Sequence, residues 1–143
     1  MNIYPHELEL LIDNIIIKMK KDNYKPDLIL GLTRGGLIPA VRISHLLDIP
    51  MQAVNKDMYS LHTLASESIY TNIRNVLVVD DINDTGKTLE EVMGFLLCNS
   101  SLIGKYAVII ENKASLFKGV DYFGMAIDKS VNPCWVNFPW ERK

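Results

Sequence analysis

The run VLVVDDINDTGKT, residues 76–88, constrains this chain more than any other segment. Val76 to Val79 are all aliphatic and leave no polar face, the pattern of a strand buried on both sides in a helix-covered parallel sheet. Directly behind them stand two carboxylates, Asp80 and Asp81, then a polar turn that leads into helical spacing from Thr88 to Leu97. Ligands of open α/β sheets bind beyond the carboxyl ends of the strands, so topology places this acid pair at a functional edge.

The rest of the chain repeats the alternation. Pro5 to Lys20 sets Leu8, Leu11, Ile12, Ile15, Ile16 and Met19 at helical spacing, with Pro5 suited to a first turn. Leu28 to Leu32 is a short apolar strand; Gly35 and Gly36 mark a tight turn, and Leu37 to Leu47 returns to helical spacing. Met51–Val54, Tyr106–Ile110 and Tyr122–Ile127 are further strands. The expected fold is α/β, with a mainly parallel twisted sheet, helices on both faces and right-handed crossovers. One domain accommodates all 143 residues. Residues 55–74 are polar and weakly periodic, too long for an ordinary connection and suited to a lid.

The net charge of −2 gives no global basic field, so nucleic acid is not an expected partner, though a small phosphorylated ligand could meet a local positive site. Cys98 and Cys134 form neither a CxxC nor a Cys/His cluster; both read as reduced, mostly buried thiols rather than a disulfide or zinc site. The first residues lack the pattern of a signal peptide, and the apolar runs fall far short of the ~20 residues needed to span a bilayer. A cytoplasmic location without membrane association is expected.

Asp84, Thr85, Gly86, Lys87 and Thr88 form a loop at a helix N-terminus, where unpaired backbone N–H groups and the helix dipole favour a phosphate monoester. Thr85 and Thr88 add hydroxyl donors, and Gly86 allows close backbone approach. Carboxylates beside a phosphate need a cation between them. Magnesium is the expected one, because it takes oxygen ligands and bridges to substrate hydroxyls and phosphates.

The whole run resembles the signature of the type I phosphoribosyltransferases: four apolar residues, two acids, two variable positions, then D-T-G-x-T. The resemblance implies binding of phosphoribosyl pyrophosphate (PRPP). Asp80 and Asp81 would face the ribose hydroxyls directly or through Mg2+, residues 84–88 would hold the 5′-phosphate, and Asp84 would act as general base or proton acceptor near N7 of the base. LILGLTRGGLIPA, residues 28–40, is similar to the family's pyrophosphate loop, with Thr33, Arg34, Gly35 and Gly36 in the binding positions; in the family the peptide before the arginine, here Thr33–Arg34, is often cis, and the sequence leaves its isomer open. Arg34 supplies a permanent guanidinium fork for phosphate oxygens. CWVNFPWE, residues 134–141, resembles the tail of the short xanthine/guanine/hypoxanthine transferases. There Trp135 would stack on the purine, the backbone of Val136 would read its edge, and Glu141 would lie near the 2-substituent. Lys113, in AVIIENKAS, matches the lysine that donates to O6. An ammonium has no acceptor for amino protons, so a lysine there disfavours adenine.

The implied activity is transfer of 5-phosphoribosyl from PRPP to a 6-oxopurine, on a Rossmann-like type I fold with a small hood, in a homo-oligomer. Residues 131–143 would form the base-recognition tail. Tyr59 and Ser60 correspond loosely to a lid pair, His62 has no assigned role, and His6 and His45 read as surface or packing residues. Two other readings differ in class: a PRPP-sensing regulator with the same fold, and a phospho-receiver domain suggested by VLVVDD. Receiver domains carry the acid pair on their first strand, whereas here a phosphate loop follows it directly.

Overall fold

The computed structural model describes residues 1–55, 72–98 and 101–141. In chain order these form α1 (Pro5–Lys21), β1 (Leu28–Leu32), α2 (Leu37–Leu47), β2 (Met51–Val54), β3 (Asn75–Asn83), α3 (Lys87–Cys98), β4 (Ile103–Asn112) and β5 (Tyr122–Ile127). The strands make one sheet in the order β2-β1-β3-β4-β5, and every pairing is parallel. The α/β expectation is met. The chain adds β2 outside β1, then returns to place β3 on the other side of β1. The strand order therefore reverses between β1 and β3, which in a sheet of this order is where ligands bind.

Alternation along the strands divides the core in two. Ile29, Leu77, Val79, Ala107 and Ile109 face one side and pack with α1 and α2 through Ile12, Ile15, Met19, Ala40 and Ile43. Leu28, Leu30, Leu32, Val76, Val78 and Val108 face the other and pack with Leu89, Val92 and Leu96 of α3. Helices thus cover both faces, which is why β1 and the stretch Val76–Val79 of β3 are apolar at every position.

α1 is fixed to the edge strand by more than its apolar stripe. Lys18 donates to the carbonyl of Phe123 at 2.7 Å with its ammonium 4.0 Å from that ring's centroid, and Asn14 donates to the Gly124 carbonyl at 3.2 Å.

Three features differ from the sequence reading. β4 runs from Ile103 to Asn112, past both ends of the expected Tyr106–Ile110. The strand expected at Val76–Val79 runs on to Asn83, because β4 continues beside it: Asp80 pairs with Val108, Ile82 with Ile110 and Asn83 with Glu111. Hydrophobicity marks only the length that lies between helices, whereas the hydrogen-bonded ladder extends past it. Cys98, expected to be mostly buried, is exposed; α3 turns Leu89, Val92 and Leu96 inward and leaves its last residues, Leu97 and Cys98, facing out. Cys134 is half-buried, and both thiols are free. His6 and His45 are exposed. Tyr59, Ser60 and His62, and most of the expected lid, lie outside the described residues. Among the described residues no helix is long and apolar enough to cross a membrane.

Candidate functional site

The loop from β1 to α2 folds directly onto the end of β3. It contains a cis peptide, Thr33–Arg34, the isomer the sequence left open. Its backbone is held by Thr33 N–H donating to the Val54 carbonyl and Gly36 N–H to the Leu32 carbonyl, each at 2.9 Å. A Cβ on Gly35 would lie 1.9 Å from Oδ2 of Asp81, and one on Gly36 would lie 2.4 Å from the Val79 carbonyl oxygen. Only a chain without side chains comes this close to the acids. Exposed Arg34 lines, with Gly35, Asp81, Trp140 and Glu141, a cavity of about 870 Å³, the size class of small-molecule sites.

Asp80 and Asp81 sit in the sheet rather than beyond it. The Asp81 N–H donates to Asp80 Oδ1 at 2.9 Å, and the Ile82 N–H to Asp81 Oδ1 at 2.8 Å. Burial pushes the Asp80 carboxyl well above the ordinary range, and the charge of Asp81 pushes it further. Asp81 is raised too, chiefly by burial, with Glu141 as a like charge nearby. Among the described residues neither acid forms an ion pair; the two such pairs are Arg42–Glu9 and Lys129–Asp84. A half-buried acid pair without a cationic side chain fits a magnesium ion that takes one or two carboxylates and completes its shell with water and substrate oxygens.

The next residues supply the anion loop. Asp80 to Leu89 line one concavity, in which Thr85, Lys87 and Thr88 are exposed and α3 starts at Lys87. Gly86 has φ of +94°, and a Cβ there would lie 2.5 Å from the Phe117 nitrogen. The loop is backed by the segment after β4: Leu116 N–H donates to the Thr85 carbonyl at 3.1 Å. Asn83, 1% exposed, braces that segment from below. Its Nδ2 donates to Glu111 Oε1 at 2.9 Å and to the Phe117 carbonyl at 3.0 Å, while its Oδ1 accepts from Ser115 Oγ at 2.8 Å.

The third wall comes from the chain's last segment. Asp81, Asp84, Lys129, Trp135, Val136 and Glu141 line a common pocket. Its two tryptophans divide the work: Trp140 stacks on Phe138 at 4.9 Å and packs against the core, while Trp135 is 72% exposed and offers its ring to the pocket mouth. Glu141 Oε2 accepts from the Phe138 N–H at 2.8 Å, so this carboxylate also shapes its own turn. Residues 1–3 clasp the same segment, with Ile3 N–H donating to the Asn137 carbonyl at 2.9 Å and Asn137 N–H to the Met1 carbonyl at 2.8 Å.

Arg34, Gly35, Asp80, the loop 84–88, Trp135, Val136 and Glu141 thus line adjoining concavities that meet at Asp81, with Gly36 packed against the backbone of Val79 and Asp80 and Thr33 tied to Val54 beside them. Lys113 stands apart. It is exposed and does not line the pocket of Trp135 and Glu141. Its charge helps hold Asp128 below the ordinary range, after the hydrogen bonds from Ser130 that do most of that work. Sequence reasoning missed Lys129, Asn112, Asn83 and Ser115. Asn112, 4% exposed, donates to the Asp84 carbonyl at 3.0 Å and accepts from the Lys129 N–H at 3.1 Å. The one available signal was an uncharged polar residue, Asn83 or Asn112, standing at the end of a buried strand.

Residues 2–140 match the phosphoribosyl transferase domain. The chain belongs to the phosphoribosyl transferase family. Among curated relatives, the xanthine-guanine phosphoribosyltransferase of Cereibacter sphaeroides is 28% identical over 143 residues, covering 90% of this chain and 80% of that one. The adenine phosphoribosyltransferase of Crocosphaera subtropica is 29% identical over 122 residues, covering 75% of this chain and 71% of the relative. The crystal structure of the purine phosphoribosyltransferase from Pyrococcus horikoshii superposes with a TM-score of 0.78 at 30% identity, over 100% of this chain and 94% of that one.

Three outcomes follow for this phosphoribosyltransferase crevice and the helix that leaves it. Gly86→Ala is expected to cost about 1–3 kcal/mol in urea unfolding, because it adds strain at positive φ to a clash with backbone. Gly94→Ala, in α3 with nothing within 4 Å of the new Cβ, is expected to stabilise by about 0.5–1 kcal/mol. For the acid pair, the folded chain binds protons more tightly than the unfolded chain, so stability falls as pH rises from the ordinary 3.8 through the raised value. Asp80→Asn is therefore expected to raise Tm at pH 7 in chelator, with the gain shrinking toward the ordinary carboxylate pKa; an equal gain at both ends would exclude relief of charge as its cause.

Proposed function

We propose that the chain transfers the 5-phosphoribosyl group of PRPP to a 6-oxopurine (guanine, hypoxanthine or xanthine), releasing the nucleoside 5′-monophosphate and pyrophosphate, the reaction of purine salvage. The observation that carries the reading is the meeting of three walls at one crevice: the glycine loop against Asp81, the anion loop 84–88, and the pocket under Trp135. Each wall suits one part of the substrates. The loop 84–88 suits the 5′-phosphate, Arg34 with Gly35 and Gly36 the pyrophosphate, and the exposed indole of Trp135 the face of a purine.

In this reading the bond from C1′ to the pyrophosphate oxygen breaks with its electron pair leaving on pyrophosphate. A ring nitrogen of the base forms the new bond to C1′, and the proton that the base sheds passes to the Asp84 carboxylate. Arg34 meets the charge that grows on the leaving group, and much of the acceleration comes from holding the reactants in register. Asp80 and Asp81 would hold magnesium, which when bound supplies positive charge to the ribose hydroxyls and pyrophosphate oxygens.

The relative named adenine phosphoribosyltransferase favours a second reading, adenine as the base, at an identity close to that of the xanthine-guanine relative. The sequence assigns the 6-position donor to Lys113, and Lys129 is a second lysine that lines the pocket of Trp135 and Glu141. Either cation matches an oxygen at position 6 and not an amino group.

A spectrophotometric screen of bases with PRPP and magnesium tests the function. Turnover with at least one 6-oxopurine and none with adenine or orotate is expected; turnover with adenine alone replaces the first reading by the second. Asp84→Ala should lower kcat by about 100-fold or more while PRPP affinity changes little, and equal losses in both would remove its role as proton acceptor.

A further inference from the structure

Glu111 closes the ladder between β3 and β4, opposite Asn83, and lines none of the concavities that form the site. It is a half-buried acid without an ion pair among the described residues. One of its oxygens, Oε1, accepts from Asn83 Nδ2 at 2.9 Å; the other, Oε2, is buried and has no hydrogen-bond partner among the described residues. Burial raises its carboxyl, and the Asn83 bond and the charge of Lys118 pull it partly back. For stability alone an acid is a poor choice here, because a buried oxygen without a partner forfeits its water and gains nothing in return. What Glu111 does supply is the bond to Asn83.

That bond decides how Asn83 can stand. A side-chain amide has two N–H donors and one acceptor oxygen. Asn83 Nδ2 donates to Glu111 and to the Phe117 carbonyl, while its Oδ1 takes the Ser115 hydroxyl. Turned over, the amide would set its oxygen against two acceptors. Ser115 Oγ in turn accepts from the Phe117 N–H at 3.3 Å, so the backbone of 115–117 is held at both ends. The anion loop rests on this bracket: Leu116 N–H reaches the Thr85 carbonyl at 3.1 Å, and a Cβ on Gly86 would lie 2.5 Å from the Phe117 nitrogen and 2.8 Å from Ser115 Oγ. Backbone donors hold an anion only when they are already aimed at it.

We infer that Glu111 is a positioning residue of the anion loop, holding the Asn83 amide in the orientation that fixes 115–117 against Thr85 and Gly86, without touching the ligand itself. The inference rests on the reading of residues 84–88 as the 5′-phosphate site and deepens it.

Calorimetry with ribose 5-phosphate and, separately, with magnesium pyrophosphate tests it without any turnover. Glu111→Met, close to glutamate in length but without a carboxyl, is expected to bind ribose 5-phosphate about 10-fold more weakly than wild type, roughly the loss of one well-aimed hydrogen bond. Pyrophosphate, which the Arg34 loop would take, should bind this variant within about threefold of wild type. Glu111→Gln keeps an acceptor for Asn83 and should return ribose 5-phosphate binding to within about threefold of wild type. Ser115→Ala cuts the same bracket at its other end and should reproduce the selective loss, so the outcome does not hang on one variant. The inference is overturned if Glu111→Met binds ribose 5-phosphate as wild type does, if pyrophosphate affinity falls in step, or if Glu111→Gln restores nothing. Wild type that takes no ribose 5-phosphate is a different result: it removes the reading of the loop, and the inference with it.

Discussion

Two like charges held side by side in the sheet are the constraint on which this site is built. The sequence carries Asp80 and Asp81 out of the core on β3, and the ladder with β4 fixes both backbones while they are still half-buried. Burial raises both carboxyls, and a neighbouring charge adds to each, that of Asp81 on Asp80 and that of Glu141 on Asp81. The same constraint explains the loop opposite, because a side chain on Gly35 would occupy the place of the Asp81 carboxylate.

The topology makes these contacts adjacent. The reversal of strand order between β1 and β3 opens a gap at their carboxyl ends, and each strand delivers one glycine-containing loop into it. α2 and α3 start from those loops on opposite faces of the sheet, so the crevice is bounded by two helix N-termini. The last segment then covers one end, with Trp140 packed inward as the anchor and Trp135 left facing the cavity. Family membership fits this layout, and the resemblance read from three short motifs extends over residues 2–140.

What the sequence disclosed was local. Val76 to Thr88 could be read as strand, acids, loop and helix because its pattern changes within thirteen residues, and the helical stripe of α1 was legible for the same reason. The contacts that assemble the pocket join distant positions. Asp84 meets Lys129 across 45 residues, and Asn83 meets Ser115 across 32. No periodicity encodes such pairs; only the register of β3 beside β4 and β4 beside β5 brings them together. The acids were assigned beyond the strand because apolar character ends at Val79, four residues before the ladder does. Cys98 misled because a cysteine among leucines reads as core, whereas the angular position on α3 decides burial.

The clasp between residues 1–3 and Asn137 has an effect on how the molecule is assembled. A parallel bridge between Asn2 and Asn137 closes a ring containing nearly the entire polypeptide, so its entropic cost falls due only when the intervening sheet has already brought the two regions close. The rim that carries Trp135 and Val136 is thereby held by a contact that closes only when the intervening sheet is in place. Substitutions at Asn2 or Ile3 bear on that rim through the Asn137 backbone, although they lie at the other end of the sequence.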